Sequence, residues 1–156
     1  MDIYDYLLDT DSCAWDKLLL PYAERLPQNH KVWLANQFGD LFLIAEDETI
    51  HLLNATTGAI GQIAENKESF FTALAENLDE LLYVHLINQA RERGLTLEAG
   101  QCYSFKVPLI LSGELAVTNI QISDLATVYA FIADLAAQVK GLPEGMPVNL
   151  SLSDPE

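Results

Sequence analysis

Between Lys31 and Ala64 the apolar residues fall into four short runs with the spacing of strands: Val32-Trp33-Leu34, Leu41-Phe42-Leu43-Ile44, Ile50-His51-Leu52-Leu53 and Ala59-Ile60-Gly61-Gln62-Ile63. The breaks between them hold Gly39-Asp40, Asp47-Glu48 and Thr56-Thr57-Gly58, each short enough for a hairpin turn. Strands joined by tight turns run antiparallel, so this stretch predicts a meander.

Helical spacing flanks it on both sides. Trp15, Leu18, Leu19, Tyr22 and Leu26 recur at helical intervals, but Pro21 has no N–H to give to a helix interior, which predicts a kink or two short helical pieces. Asn66 is placed to cap a helix carrying Phe70, Phe71 and Leu74 inward. Asn77 is placed to cap the next, with Asp79 and Glu80 in its first turn, Arg91 and Arg93 in its last and Gly94 at its end, charges that suit the helix dipole. After a turn at Ala99-Gly100, Cys102 to Val107 reads as extended, and Pro108 and Gly113 bracket an irregular apolar stretch that resumes as a strand at Val117 to Ile122. The last helix puts Leu125, Val128, Tyr129, Ile132, Leu135 and Val139 on one face, with Lys140, Gly141 and Pro143 as charge, cap and stop. The predicted fold class is α+β, a central antiparallel meander flanked by helices. Half of the 156 residues are apolar, enough for one core, so a single domain is expected over residues 1–150 with a short polar tail at 151–156.

Charge narrows the partners. Eight basic residues against 23 acidic ones leave a net charge of −15, too few cations to neutralise a row of phosphates, so direct nucleic-acid binding is not expected. The same field repels an anionic membrane and attracts a basic protein; plain solubility explains it equally well. The start, Met1-Asp2-Ile3-Tyr4-Asp5-Tyr6, is acidic where a secretory signal needs cations, and no apolar stretch approaches a membrane span, so a cytoplasmic location is expected. Cys13 and Cys102 share no close spacing and read as free thiols.

The supply of catalytic groups is thin. No glycine-rich phosphate loop is present, because Gly39, Gly58 and Gly61 fall at turns or within a strand. His51 reads as a solvent-facing strand residue, His85 as a structural histidine on an apolar helix stripe, and His30 as a loop residue. Cys102 sits among Tyr103, Phe105 and Val107, surroundings that raise a thiol's pKa and make it inert. No spacing suggests a metal site, and no cofactor is expected. The carboxylates Glu46, Asp47 and Glu48 cluster at a turn, placed to meet lysine or arginine on a partner.

Two segments carry a resemblance: Phe38-Gly39-Asp40-Leu41-Phe42-Leu43 with the hairpin through Ile50-His51-Leu52-Leu53, and Gly100-Gln101-Cys102-Tyr103-Ser104-Phe105-Lys106-Val107-Pro108. The second continues through Leu111-Ser112-Gly113-Glu114 and Asn119-Ile120 to Leu142-Pro143-Glu144-Gly145. Over Trp15 to Pro147 this order resembles the C-terminal domain of type VI secretion immunity proteins that protect against DNase toxins, a domain often preceded by a module related to glutamate-accepting domains. The chain begins shortly before the first motif, so that module is expected to be missing. Where the family has Gly-Gly before its glutamate, this chain reads Ser112-Gly113, a change in a turn.

The resemblance implies a non-enzymatic inhibitor, monomeric or weakly dimeric, that binds and occludes a basic protein toxin, a nuclease. The acidic surface expected to do so comprises Asp40, Glu46, Asp47, Glu48 and Glu114. Phe38, Gly39, Asp40, Tyr103, Phe105, Lys106, Pro108 and Gly113 are expected to define the fold. Two other readings stay open: a general interaction or scaffold domain, and a small hydrolase using Cys102 or His85.

Overall fold

The computed structural model describes residues 3–140 of the chain. The meander forms where strand spacing predicts it. Strands β1 (Lys31–Ala35), β2 (Leu41–Ile44), β3 (Ile50–Leu53) and β4 (Ile60–Ala64) lie side by side in chain order, each antiparallel to the next. In the centre the register runs from Leu41 opposite Leu53 to Ile44 opposite Ile50.

Alternation along the strands sends side chains into two cores. Leu41, Leu43 and Leu53 point to one side, where they join Leu19, Tyr22, Tyr129 and Leu135. Phe42 and Ile50 point to the other, against Phe70, Leu74, Leu86, Ile87 and Tyr103. The central strand β2 is covered on both faces, which is why Leu41 to Ile44 reads as an unbroken apolar run. Each such buried side chain contributes about 1.5–3 kcal/mol relative to exposure.

The first core is closed by α1 (Trp15–Leu18), a 3-10 turn at Leu20–Tyr22 that starts at Pro21's end of the break, and α5 (Leu125–Lys140). The second is closed by α2 (Lys67–Glu76), α3 (Leu78–Leu82) and α4 (Val84–Glu92). Asn66 caps α2 through a capping box: its side chain accepts from Ser69 N at 2.8 Å, while Ser69 Oγ accepts from Asn66 N at 3.2 Å. Phe70 takes the core position, and Phe71, a helical step round, is 44% exposed and lies edge-on to Trp33.

Two expectations are corrected. The helix predicted from Asn77 to Arg93 is broken at Tyr83, whose φ of 55° is left-handed, and the Asn77 side chain donates back to Ala73 O instead of capping. The break places the Tyr83 ring 4.3 Å from that of Phe38, and Asp79 Oδ1 accepts from His85 N at 2.8 Å, satisfying a backbone donor of the restarted helix. The last strand begins later than predicted: Val117–Asn119 is a 3-10 turn, and β6 (Ile120–Asp124) pairs with β5 (Gln101–Phe105) as a separate hairpin-like sheet. That sheet is tied to the meander through Tyr103 N, which donates to Gln37 O at 2.8 Å. Gly141, Pro143, Leu142-Pro143-Glu144-Gly145 and the tail at 151–156 lie outside the described residues.

Candidate functional site

The β2–β3 turn carries three neighbouring exposed carboxylates, Glu46, Asp47 and Glu48. Its backbone is closed by Ala45 N donating to Thr49 O and Glu48 N donating to Ala45 O, both at 2.9 Å. Asp47 Oδ1 accepts from Thr49 Oγ1 at 2.6 Å and from Thr49 N at 3.2 Å, and these bonds hold its carboxyl below the usual aspartate value. Thr49 Oγ1 in turn meets His51 Nε2 at 2.9 Å, and Asn29 Nδ2 donates to Glu46 Oε2 at 3.1 Å. The turn therefore offers anchored negative charge to water, an arrangement suited to lysine or arginine on another protein.

Asp40 does not belong to that surface. It is 4% exposed, and its carboxylate accepts from Ala55 N at 2.7 Å through Oδ1 and from Asn36 Nδ2 at 3.0 Å through Oδ2. Burial pushes its pKa up to about 6, against the pull of these two bonds. Asn36, fully buried, completes the turn: its Oδ1 accepts from Phe38 N and Asp40 N, and its Nδ2 also donates to Leu81 O at 2.8 Å. Between them Gly39 has a φ of 87°, and Tyr129 donates its hydroxyl to Gly39 O at 2.6 Å. A Cβ at Gly39 would meet only ordinary contacts, 3.4 Å from the Leu125 side chain, so it is the left-handed conformation that calls for glycine.

The two resembling segments meet around this turn. The Phe38 ring stacks on Phe105 at 5.1 Å and lies 5.6 Å from Tyr103, whose hydroxyl donates to Leu95 O at 2.6 Å. Lys106 is exposed, with its N–H donating to Asn119 O. Pro108 O accepts from Gly113 N at 2.9 Å, and a Cβ on Gly113 would sit 1.8 Å from Val107 O, so only glycine fits there. Ser112 beside it has a φ of 69°, a left-handed position that a glycine takes without strain. Asn119, buried, accepts from Val107 N and donates to Val107 O and Glu114 O, clamping the connection. Glu114 is exposed on this β5–β6 connection, apart in the chain from the β2–β3 tip.

Asn36 is a residue that sequence reading passed over, and Asn119 was placed in the resembling segment without a role. The signal for Asn36 was its place just before Phe38-Gly39-Asp40, where an asparagine side chain bonds the backbone two residues on. His85, expected on an apolar stripe, is exposed, because the restart at Tyr83 shifts the phase of the helix. His51 is half-buried rather than solvent-facing. Burial raises the Cys102 thiol to about 12, with Asp40 and Asp124 adding to it, so almost no thiolate exists at neutral pH. Among the described residues no three potential metal ligands converge, and no helix is long and apolar enough to cross a membrane.

The chain is similar in fold to the crystal structure of Atu4351 from Agrobacterium tumefaciens, with a TM-score of 0.52 at 20% identity. That likeness covers 78% of this chain but spans 64% of the other. No curated protein matches significantly. The family described as T6SS immunity protein Tdi1, C-terminal, matches residues 64–136, a shorter stretch than the resemblance from Trp15 to Pro147. That match runs from the end of β4 into α5 and contains the Tyr103–Pro108 motif, so over this stretch the chain is similar to the T6SS immunity protein Tdi1 C-terminal family.

Proposed function

We propose that this chain is a cytoplasmic immunity protein, one domain over residues 1–150, that binds a secreted toxin and silences it by covering its working face. The observation that carries the reading is the family match over residues 64–136. The partner is a nuclease: a surface built to hold DNA is basic, and an inhibitor with a net charge of −15 suits it by standing in for the phosphates. Inhibition by occlusion asks for no chemistry from the inhibitor. The exposed carboxylates of Glu46, Asp47 and Glu48, with Glu114, supply contacts to the toxin's cations, while Asp40 acts only through the fold. A monomer or weak dimer burying roughly 1,200–2,000 Å² in total against the toxin meets the size of a stable complex.

The test is co-production with candidate secreted nuclease toxins, beginning with any encoded beside its gene, scoring survival and then affinity by calorimetry at low and moderate salt. Protection by the wild type, with association weakened at least about tenfold by Glu46→Lys, Asp47→Lys and Glu48→Lys together, is the expected result. Cells that die despite a well-folded wild-type protein would remove the immunity reading. Unchanged affinity in the triple variant would remove the tip from the interface while leaving immunity intact.

A further inference from the structure

Pro21 has a consequence on the surface. Because it ends α1 after four residues, no continuous helix covers the β1 side of the first core, and a groove of about 320 Å³ is left there. Trp15, Leu19, Leu20 and Val32 supply its apolar walls, and Asp16 and His30 its polar margin. Leu20 is 69% exposed although Leu19 and Tyr22 on either side of the break are buried. An exposed large aliphatic beside a tryptophan-lined groove gives an apolar surface on which a partner's side chain can be buried.

The charges around the groove are acidic at both ends. At one end stands the exposed Asp16, next to Trp15, whose Nε1 donates to Thr10 O at 2.8 Å and so fixes the indole in the groove wall. At the other, His30 adjoins Asn29, the residue that holds Glu46 of the acidic tip. Of the nearby cations, Arg25 is engaged with Gly58 O at 2.9 Å and lies over the Tyr22 ring, and Lys31 alternates to the opposite face from Val32. Lys17 is exposed beside Asp16. Tip and groove thus adjoin, an apolar centre with a carboxylate rim.

We infer that this groove anchors a cationic amphipathic segment of a protein partner. An aliphatic or aromatic side chain of that segment enters between Trp15 and Leu20, while flanking lysines or arginines pair with Asp16 at one end and with Glu46 to Glu48 at the other. That the partner is the toxin rests on the immunity reading; the chemistry of the groove does not. The groove also lies outside residues 64–136, so the family match implies nothing about it.

The chain has two tryptophans, so Trp33→Phe leaves Trp15 as the only indole reporter. The full chain carrying this change is titrated with an 18-residue helical leucine–lysine peptide, a leucine–glutamate peptide of the same pattern, and a serine–lysine peptide without apolar residues. The native chain is titrated in parallel by calorimetry, a readout that survives if Trp33→Phe disturbs folding. A saturable blue shift with the leucine–lysine peptide alone, weakened at least tenfold by Leu20→Lys and by Asp16→Lys, is expected. No saturable response, equal binding of the leucine–glutamate peptide, or unchanged affinity in both variants overturns the inference. If wild type and Leu20→Lys protect equally against the toxin and the peptide does not bind, the groove fails and immunity stands. If the peptide binds in the groove but no toxin is neutralised, the groove stands and immunity fails.

Discussion

Two acidic turns of one meander, Gly39-Asp40 between β1 and β2 and Glu46-Asp47-Glu48 between β2 and β3, read alike in sequence and end in opposite surroundings. The first lies at the end of the sheet where the β3–β4 turn, the β5–β6 pair and α5 converge, and Ala55 N, Gln37 O and Gly39 O are its points of attachment. The second lies at the other end, where its carboxylates are exposed and its bonds, to Thr49 and Asn29, are local or on the surface. An aspartate in a turn is therefore read correctly only when its donors are known. Where the fold supplies buried donors it becomes a strut; where water supplies them it becomes a charge offered to a partner.

The largest separation between the two turns should come from removing Asn36. Its side chain serves Phe38 N, Asp40 N, the Asp40 carboxylate and Leu81 O, so Asn36→Ala strands several buried groups at once. A loss of about 3–5 kcal/mol in urea denaturation is expected, because a buried charge left without its partner costs on that scale. At the tip, Glu46→Ala should move stability by no more than about 0.5 kcal/mol. Losses of similar size at the two positions would break the distinction.

Acidity tests the same contrast by another route. Asp40 rises from 3.8 to about 6 on folding, so the folded chain holds this proton more tightly than the unfolded one. The stability it contributes is complete below pH 4, is lost as pH rises through about 6, and amounts to roughly 3 kcal/mol between those limits. Asp40→Asn, which cannot ionise, should lack that slope, so the difference between the two proteins' unfolding midpoints should itself change with pH over 4 to 7. Asp47 shifts the other way: its folded pKa is lowered, so its smaller contribution is present above the ordinary aspartate value and fades as the solution becomes more acid. A variant and wild type with parallel pH profiles would show that Asp40 is ionised as readily inside the fold as outside it.

The meander was legible because its information is local: short apolar runs, turn residues and the Pro21 break each act within a few positions. The capping box at Asn66 and Ser69 is local in the same way. What escaped depends on contacts between distant segments. The left-handed residue at Tyr83 follows from a ring packed on Phe38, and nothing in Leu78 to Glu92 announces it. Asp40 looked exposed because its sheltering groups, Ala55 and Asn36, belong to another turn and to a strand end. The delayed start of β6 follows from Asn119 clamping Val107 and Glu114. Of the proposed interface, the acidic tip was readable from its charges, whereas the groove was not, since Pro21 signals a break without saying which side chains the break uncovers.

The smallest effect sharpens the comparison most, because it separates the fold's demands from the partner's at a single residue. Glu48 has a φ of 71°, a left-handed conformation that costs a side chain-bearing residue about 1–2 kcal/mol and a glycine almost nothing. Glycine's greater freedom in the unfolded chain offsets part of that gain, so Glu48→Gly should stabilise the protein by about 0.5 kcal/mol, seen as a small upward shift of the urea midpoint. The same change removes one of three tip carboxylates and should weaken association with a basic partner, most at low salt. Stability and binding then move in opposite directions, whereas Asn36→Ala should lower both together. A Glu48→Gly protein that loses stability would show that the glutamate's side chain supports the turn, and the tip would have to be read as a structural element like its neighbour at Asp40.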